Sequence, residues 1–280
     1  MNYIEPSSLE EAIKIITEDD EARCLAGGAT LVAMMNADLL EPSTLVGLRR
    51  IKELSGISNH DDHIRIGAMS THTQIAAADS LVGNAAVVRD AAAQIAHSAI
   101  RNMGTIGGSV CHADPNADFP GALTAANASL EVVGSSGSRT IPIDEFFLDF
   151  LESSLEEGEI LCAILIPNNP AQARGRHLKF SRTHGDYATV SVSVTLQMEG
   201  EKCAYARVAI GSVGPTPLHL DEADALLAGS NLSEDLLHKA GELLAAAADP
   251  MDDVRGSSEY RRSIIPGLLK RAVNEVAERR

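Results

Sequence analysis

The sequence predicts an α+β fold, and three observations lead to that prediction. Helix-like and strand-like stretches alternate near the N-terminus, a hairpin signal lies in the middle, and an antiparallel ribbon followed by helices comes after Pro170. The chain has 280 residues, which is enough for about two domains. The proline-containing stretch 168–175 is the best candidate for a linker between them.

The N-terminal segment is predicted to be a small β/α unit. Residues 8–11 have the pattern of a capping box and precede apolar residues at helical spacing. A short strand over 23–26 leads into Gly27 and Gly28, Thr30 can cap the next helix, and another strand spans 44–48. A glycine turn therefore follows a strand at its carboxyl end, where α/β folds usually bind ligands.

The middle of the chain shows strand and helix patterns around one unusual stretch. Strands are predicted over 63–66, 130–133, 140–143 and 160–166, with the second and third forming a hairpin, and helices over 71–78 and 84–96. Residues 97–118 are rich in Gly, Ser, Asn, His, Asp and Pro and are predicted to be irregular. A long irregular segment inside a compact domain is usually functional.

The part after the linker has a different pattern. Residues 188–198 alternate between polar and apolar side chains, 199–202 form a turn, and 203–213 return, so an antiparallel ribbon is expected. Three helices follow over 221–227, 233–248 and 257–279.

Composition excludes several functional classes. The net charge of −16 and pI near 4.9 argue against binding to nucleic acids or anionic membranes. No apolar run reaches about 18 residues, so no transmembrane helix is expected. The four cysteines are scattered without a C-x-x-C pair, so the chain offers no zinc or iron–sulfur motif. This cysteine usage and the lack of a secretory leader pattern favour the cytoplasm.

Two glycine-pair segments are the main candidates for a binding site. They cover residues 26–30 and 105–109, and glycine lets a backbone approach a ligand closely. Successive N–H groups in such turns form concave nests for anions, so the two segments suit a ligand with two phosphates. We therefore hypothesise a dinucleotide ligand, although each segment alone is more often a plain turn. Neither segment matches a Walker loop, G-x-G-x-x-G or a nucleophile elbow.

Several polar residues remain open to two interpretations. His112, Asp114 and Asp118 could be metal ligands, but their spacing matches no standard site. Asp118 is either a hydrogen-bond acceptor for a ligand or a solvated loop residue. Lys179 lies in a strand-like run whose pattern alone places it in solvent, and its functional alternative is contact with a phosphate or carbonyl. His72, His97 and His184 are more often structural, and no Ser-His-Asp arrangement is defensible.

Taken together, ordered segments across nearly the whole chain resemble one family. The chain resembles the FAD-binding (medium) subunit of molybdenum hydroxylases, of the carbon monoxide, xanthine and nicotine dehydrogenase type. The resemblance is carried by residues 25–32, 100–109, 113–118, 179–182, 185–188, 211–217 and 253–261.

The resemblance implies both an architecture and a set of contact residues. It implies a two-part, PCMH-type FAD-binding domain over 1–170, made of the small β/α unit and a mixed sheet with helices. A C-terminal domain over 175–280 would hold a three-stranded antiparallel sheet and helices. The implied cofactor-binding residues are Leu25, Ala26, Gly27, Gly28, Ala29, Thr30, Leu31, Val32, Ile95, Thr105, Ile106, Gly107, Gly108, Ser109, Asp118, Leu161 and Lys179. Relatives often carry a polar residue at the position of Ala29, so one side-chain contact is expected to be missing.

The resemblance also implies the function and the partners. The chain would carry FAD and pass electrons from [2Fe–2S] clusters of a small subunit to an external acceptor, while a large subunit carries the molybdenum cofactor. A dimer of heterotrimers is expected, with no catalytic side chain, no metal, no nucleic acid and no membrane insertion. Two alternatives stay open, namely a stand-alone FAD-dependent oxidoreductase and a non-catalytic FAD-binding assembly module.

Overall fold

Three sheets, each covered by helices, organise the chain in the computed structural model. The structure describes residues 1–168, 170 and 172–278. A separate pair of short strands is formed by β8 (Phe147–Asp149) and β9 (Glu152–Ser153). None of the helices in the described residues is both long and apolar enough to cross a membrane.

The first sheet is parallel and has the order β1–β3–β2. Its elements are β1 (Asn2–Ile4), α1 (Leu9–Glu18), β2 (Arg23–Leu25), α2 (Leu31–Asn36) and β3 (Thr44–Gly47). Ser8 caps α1 by accepting a hydrogen bond from the Glu11 N–H, while the Glu11 carboxylate accepts from Ser7 rather than from Ser8. The predicted β/α unit is therefore present, and its glycine turn follows β2.

The second sheet has five strands in the order β4–β5–β10–β6–β7. Its strands are β4 (Ile57–Asn59), β5 (His63–Gly67), β6 (Ser129–Gly134), β7 (Gly137–Pro142) and β10 (Ile160–Pro167). All neighbouring pairs are antiparallel, so the expectation of a mixed sheet is wrong in this detail. The pairs β4–β5 and β6–β7 are each joined by a direct turn, and the segment between β5 and β6 is helical. None of these connections gives a parallel pair.

Five helices accompany this sheet, and four of them, all except α5, contribute buried residues to its apolar core. They are α3 (His72–Ala76), α4 (Ala86–Gln94), α5 (Ser98–Met103), α6 (Ile106–His112) and α7 (Asp118–Ala125). The prediction that 97–118 is irregular is therefore wrong, because α5 and α6 occupy most of it. Thr105 caps α6 by accepting a hydrogen bond from the Gly108 N–H, and Ile106 and Val110 are fully buried. Gly107 and Gly108 thus lie in the first turn of a helix rather than in a loop.

The third sheet is antiparallel, has the order β11–β12–β13 and has its own apolar core. Its elements are β11 (Arg174–Phe180), β12 (Val190–Glu199), β13 (Lys202–Gly211), α8 (Asp221–Leu227), α9 (Glu234–Ala247) and α10 (Ser258–Ala277). The predicted ribbon and the three helices are confirmed. Arg279, the predicted end of the last helix, lies outside the described residues, as do Asn169 and Ala171 of the predicted linker.

The α+β class and the order of a parallel unit, a larger sheet and a three-stranded antiparallel sheet are confirmed. Charged contacts join the last sheet to the earlier part of the chain. Arg176 on β11 contacts Asp90 on α4 at 2.8 Å, and Arg207 on β13 donates to the Thr124 carbonyl of α7 at 2.7 Å. The sheets therefore meet along helices α4 and α7.

The close approach of α9 and α10 yields a stability prediction. A Cβ at Gly241 would lie 2.6 Å from Pro266 Cα, whereas one at Gly267 would meet nothing within 4 Å. We expect Gly241→Ala to lower the free energy of unfolding by about 1–2 kcal/mol, because overpacking outweighs the gain in helix propensity. The matched Gly267→Ala should raise it by up to about 1 kcal/mol. Urea unfolding measures both, and stabilisation by both variants would contradict the packing described.

Candidate functional site

One cavity of about 720 Å³ is lined by both glycine segments. Fourteen of the predicted site residues line it: Ala26, Gly27, Gly28, Ala29, Thr30, Leu31, Ile95, Thr105, Gly107, Gly108, Ser109, Asp118, Leu161 and Lys179. Leu25, Val32 and Ile106 do not line it. Ile106 is fully buried in the core, and Val32 is 40% exposed on α2. The structure thus brings together residues from the turn between β2 and α2, from α2, α6, α7, β10 and β11, and from the positions that follow α4 and precede α6.

The two glycine segments lie side by side because their glycines pack against neighbouring backbone. A Cβ at Gly27 would collide with the Met103 carbonyl, and a Cβ at Gly107 would lie 2.6 Å from Ala68 Cβ. A Cβ at Gly108 would lie 3.7 Å from Ala26 Cβ. Gly27 and Gly107 therefore serve the packing of the protein on itself, whereas a Cβ at Gly108 would make ordinary contact with Ala26 of the other segment. This packing forms one wall of the cavity.

The first glycine segment presents unpaired backbone donors. Within the described part of the chain, no acceptor pairs with the N–H groups of residues 27–31, whereas those of Val32 and Met34 bond to the carbonyls of Gly28 and Thr30. Gly28 has φ of +77°, a left-handed conformation that suits glycine. Unpaired backbone N–H groups facing a cavity form a site for an anion.

The second glycine segment differs, because its N–H groups are already occupied. Gly107 N–H donates to the Ala68 carbonyl at 2.8 Å, Gly108 N–H to Thr105 Oγ1 at 3.1 Å, and Ser109 N–H to the Thr105 carbonyl at 3.0 Å. The expectation of a second nest of free amides is therefore wrong. What this segment offers a ligand is its backbone surface and the Ser109 hydroxyl.

A buried charged cluster forms another part of the wall. Lys179 Nζ lies 2.8 Å from Asp118 Oδ2 and also donates to the Gln94 carbonyl at 3.2 Å. The Lys179 side chain is 5% exposed, so the pattern-based placement in solvent is wrong. His177 is fully buried behind Asp118, with Nε2 3.2 Å from Asp118 Oδ1 and Nδ1 2.9 Å from Ser193 Oγ.

The charges of this cluster compensate each other. Burial alone would raise the pKa of Asp118, but the hydrogen bond from His177 and the charge of Lys179 outweigh it and hold the pKa below its usual range. Asp118 is therefore a carboxylate that can still accept hydrogen bonds. A buried pair of opposite charges that also lines a cavity is suited to orienting a polar ligand.

His72 is a cavity residue that the sequence interpreted as structural. It is 4% exposed, lies in α3 and packs against Phe119 with ring centroids 5.2 Å apart. Burial lowers its pKa to about 4, although the nearby Asp118 carboxylate opposes this. His72 is therefore a neutral wall residue at pH 7, and the structural interpretation agrees with its burial. His184, by contrast, is exposed.

Sequence reasoning missed the residues at the cavity mouth. Asp186 and Tyr187, in the connection from β11 to β12, line the cavity although no role was predicted for them. The sequence could have revealed them, because they lie a few residues after Lys179 in the segment 185–188, which is one of those that carry the family resemblance. His112 and Asp114 also line it, but Asp114 accepts from the Asn116 N–H and belongs to no metal-like cluster among the described residues.

Comparisons with known proteins identify the family. The FAD binding domain in molybdopterin dehydrogenase matches residues 1–169, and the CO dehydrogenase flavoprotein C-terminal domain matches residues 177–276. The carbon monoxide dehydrogenase medium chain of Afipia carboxidovorans is 36% identical, with 99% of this chain and 97% of the relative covered. The nicotine 6-hydroxylase medium subunit of Paenarthrobacter nicotinovorans is 31% identical, covering 100% and 98%.

Solved structures agree with this assignment. A Cu,Mo-CO dehydrogenase chain matches with a TM-score of 0.96 and 35% identity, covering 100% of this chain and 98% of that one. A chain of quinoline 2-oxidoreductase from Pseudomonas putida 86 matches with a TM-score of 0.93 and 32% identity, covering 99% and 97%. The chain belongs to the family of FAD-binding subunits of molybdopterin dehydrogenases, and it is therefore an oxidoreductase subunit whose cofactor is FAD.

The buried His72 yields a pH prediction. Its folded pKa of about 4 lies below the ordinary 6.5, so its contribution to stability is complete above pH 6.5 and is lost as the pH falls towards 4. At pH 5 this residue alone should lower the free energy of unfolding by about 2 kcal/mol relative to pH 8.

Chemical unfolding of wild type and His72→Gln at both pH values measures this difference. His72→Gln should show the smaller decrease, and the exposed control His184→Gln should keep the wild-type dependence. Equal decreases in wild type and His72→Gln would show that His72 is not held neutral by burial.

Proposed function

We propose that this chain holds FAD in the cavity between its sheets and serves as the electron-transferring subunit of a heteromeric molybdenum hydroxylase. The observation that carries the proposal is the row of unpaired N–H groups at residues 27–31 on the wall of a 720 Å³ cavity. A cavity of this size is within the range of cofactor sites, and free backbone donors suit a diphosphate. The chain has a net charge of −16, so its overall charge does not attract anions. The local N–H groups at residues 27–31 are therefore the feature that would bind the diphosphate.

The residues around the cavity fit the chemistry of FAD. We assign the diphosphate to residues 26–31, with the Ser109 hydroxyl and the backbone of residues 105–108 beside it. Asp118 and Lys179 offer an acceptor and a donor for polar groups, and Ile95 and Leu161 offer apolar contact. We assign Leu25, Val32 and Ile106 the supporting role of holding the two glycine segments in place, because they do not line the cavity.

The protein's part in this function is binding and orientation. When bound, FAD supplies the redox chemistry, taking electrons from [2Fe–2S] clusters of a partner subunit and passing them to an external acceptor. Residues 27–31 would fix the position of the cofactor by backbone donors, which carry no charge that titrates. Asp118 and Lys179, with His177 behind Asp118, would fix the polar environment at another part of the wall. This assignment requires no nucleophile or acid–base pair from the chain.

The proposed assembly places the other redox centres on partner chains. We infer a large subunit with the molybdenum cofactor, a small subunit with two [2Fe–2S] clusters, and a dimer of heterotrimers. The four cysteines are free thiols and are distributed over separate elements, and two of them, Cys162 and Cys203, are buried. Free thiols also support a cytoplasmic location. Relatives named as medium chains or medium subunits support the heteromeric arrangement.

We also propose a division into an FAD-binding domain over 1–170 and a C-terminal domain over 175–280. The separate matches to residues 1–169 and 177–276 support it. The separate apolar core of the third sheet, with residues such as Val192 and Leu269, supports it as well.

The free amides yield a test of the binding site. We expect Gly28→Ala to lower FAD occupancy at least about threefold, because a residue other than glycine disfavours its φ of +77° and shifts the neighbouring N–H groups. Gly137→Ala is a matched control, since Gly137 also has positive φ, begins β7 directly after the β6–β7 turn, and a Cβ there would meet nothing within 4 Å. Absorbance of flavin per protein measures occupancy. Equal occupancy in the two variants would remove residues 27–31 from the site.

The proposed assembly makes a second prediction. The chain, purified under native conditions from cells that express its neighbouring genes, should carry about one FAD per chain together with iron, sulfide and molybdenum on two other polypeptides. Mass spectrometry of the complex and metal analysis measure this. Reduction of the flavin by a substrate of the complex would separate this function from a binding module without electron transfer. An active enzyme that consists of this chain alone, without the two partner polypeptides, would contradict the proposal.

A further inference from the structure

The mouth of the cavity is formed by the connection between β11 and β12. Tyr187 lines the cavity, yet its side chain is 43% exposed, so it lies at the boundary with solvent. Gly185, with φ of +83°, brings this connection against the segment after α4, where a Cβ would lie 2.9 Å from His97 Cε1 and 3.0 Å from the Ala96 carbonyl. The connection therefore closes the cavity from the side of the third sheet.

One arginine holds this mouth from outside. Arg255 donates through Nε and Nη2 to Asp186 Oδ1 at 3.1 and 3.0 Å, and the same oxygen accepts from the Tyr187 N–H at 2.7 Å. The Arg255 Cζ also lies 5.2 Å from the centroid of the Tyr187 ring. The Arg255 guanidinium thus acts on Tyr187 in two ways, through Asp186 at the backbone N–H and directly at the face of the ring.

The turn that carries Arg255 is firmly anchored. Asp253 Oδ1 accepts the N–H groups of Arg255 at 2.8 Å and Gly256 at 3.2 Å. Arg261, which is 2% exposed, pairs with Asp253 and donates to the Thr189 carbonyl at 2.6 Å. Arg255 therefore projects from a turn that is anchored, through Arg261, to Thr189 just before β12. This turn provides a fixed support for the contact at the cavity mouth.

The contact is between two charges at neutral pH. The hydrogen bond from Arg255 is the main reason that the pKa of Asp186 lies below its usual range, and burial opposes it only in part. Both groups are about a quarter exposed, so the contact can open without stranding a buried charge. The Arg255–Asp186 ion pair is therefore suited to restraining the loop at the cavity mouth, and it is not part of the buried core.

We propose that Arg255 is a positioning residue that holds Tyr187 across the cavity mouth and so slows the exit of bound FAD. This inference rests on the proposed function, since it takes FAD as the occupant of the cavity. Arg255 does not line the cavity, so its effect on the cofactor acts through Asp186 and Tyr187.

The test measures the rate of FAD release from the full-length chain, purified with its partners, by ultrafiltration and flavin absorbance. We expect Arg255→Gln to speed release about tenfold, as for loss of a charge-assisted contact, and Arg255→Lys to lie between it and wild type. Arg182→Gln is the matched control. Arg182 donates to the Val254 carbonyl of the same turn at 2.9 Å but contacts neither Asp186 nor Tyr187, so its release rate should equal that of wild type.

A double variant separates positioning from general loosening. Tyr187→Ala should speed release as Arg255→Gln does, and the combined variant should release FAD no faster than the faster single variant. Equal release from Arg255→Gln and Arg182→Gln would overturn the role of Arg255, and so would additive effects in the double variant. A wild-type complex without FAD would instead contradict the proposed function itself.

Discussion

The structure of the cavity depends on close backbone packing at two glycines, which have no Cβ. Gly27 lies directly against the Met103 carbonyl, so a side chain there would push the first glycine segment away from the residues that precede the second one. Gly107 lies against Ala68, so a side chain there would displace the second segment from the residue that follows β5. Protein interiors tolerate such displacement poorly because they are closely packed. Both segments line the cavity, and the N–H groups of residues 27–31 have no protein acceptors among the described residues. The ligand site therefore follows from a packing constraint.

A second constraint joins the two parts of the chain at the same cavity. Asp118 begins α7, which packs in the core of the second sheet, whereas Lys179 and His177 lie on β11 of the third sheet. Each buried charge would be costly alone, and their contact at 2.8 Å offsets that cost. The contact between Arg255 and Asp186 lies within the C-terminal part and positions the cavity mouth on that side. The site therefore forms only when both parts of the chain are packed together as in this structure.

Much of the fold could be predicted from the sequence, because its long elements have clear periodicity. Strands β12 and β13, with ten residues each, and helix α9, with 14, are examples, and the family resemblance supplied the order of the parts. The helices α5 and α6 could not be predicted, since they have six and seven residues and contain polar residues and glycines. They are fixed by tertiary contacts such as the bond from the Ile106 N–H to the Ser70 carbonyl.

The site was predictable in its location and less so in its chemistry. The glycine segments were found, but a sequence does not reveal that the N–H groups of residues 107–109 are used within the protein. Strand alternation likewise placed Lys179 in solvent, because its partner Asp118 is 61 residues away in sequence. Local pattern gives the positions of such residues, whereas their partners depend on the tertiary fold.

Hydrogen exchange at single amides, with and without FAD, tests the central claim most directly. We expect FAD to slow exchange of the N–H groups at residues 27–31, while those of Gly107, Gly108 and Ser109 exchange slowly in both states because the protein already pairs them. Exchange at residues 27–31 that is unchanged by FAD, with the cofactor bound, would show that these N–H groups do not bind it.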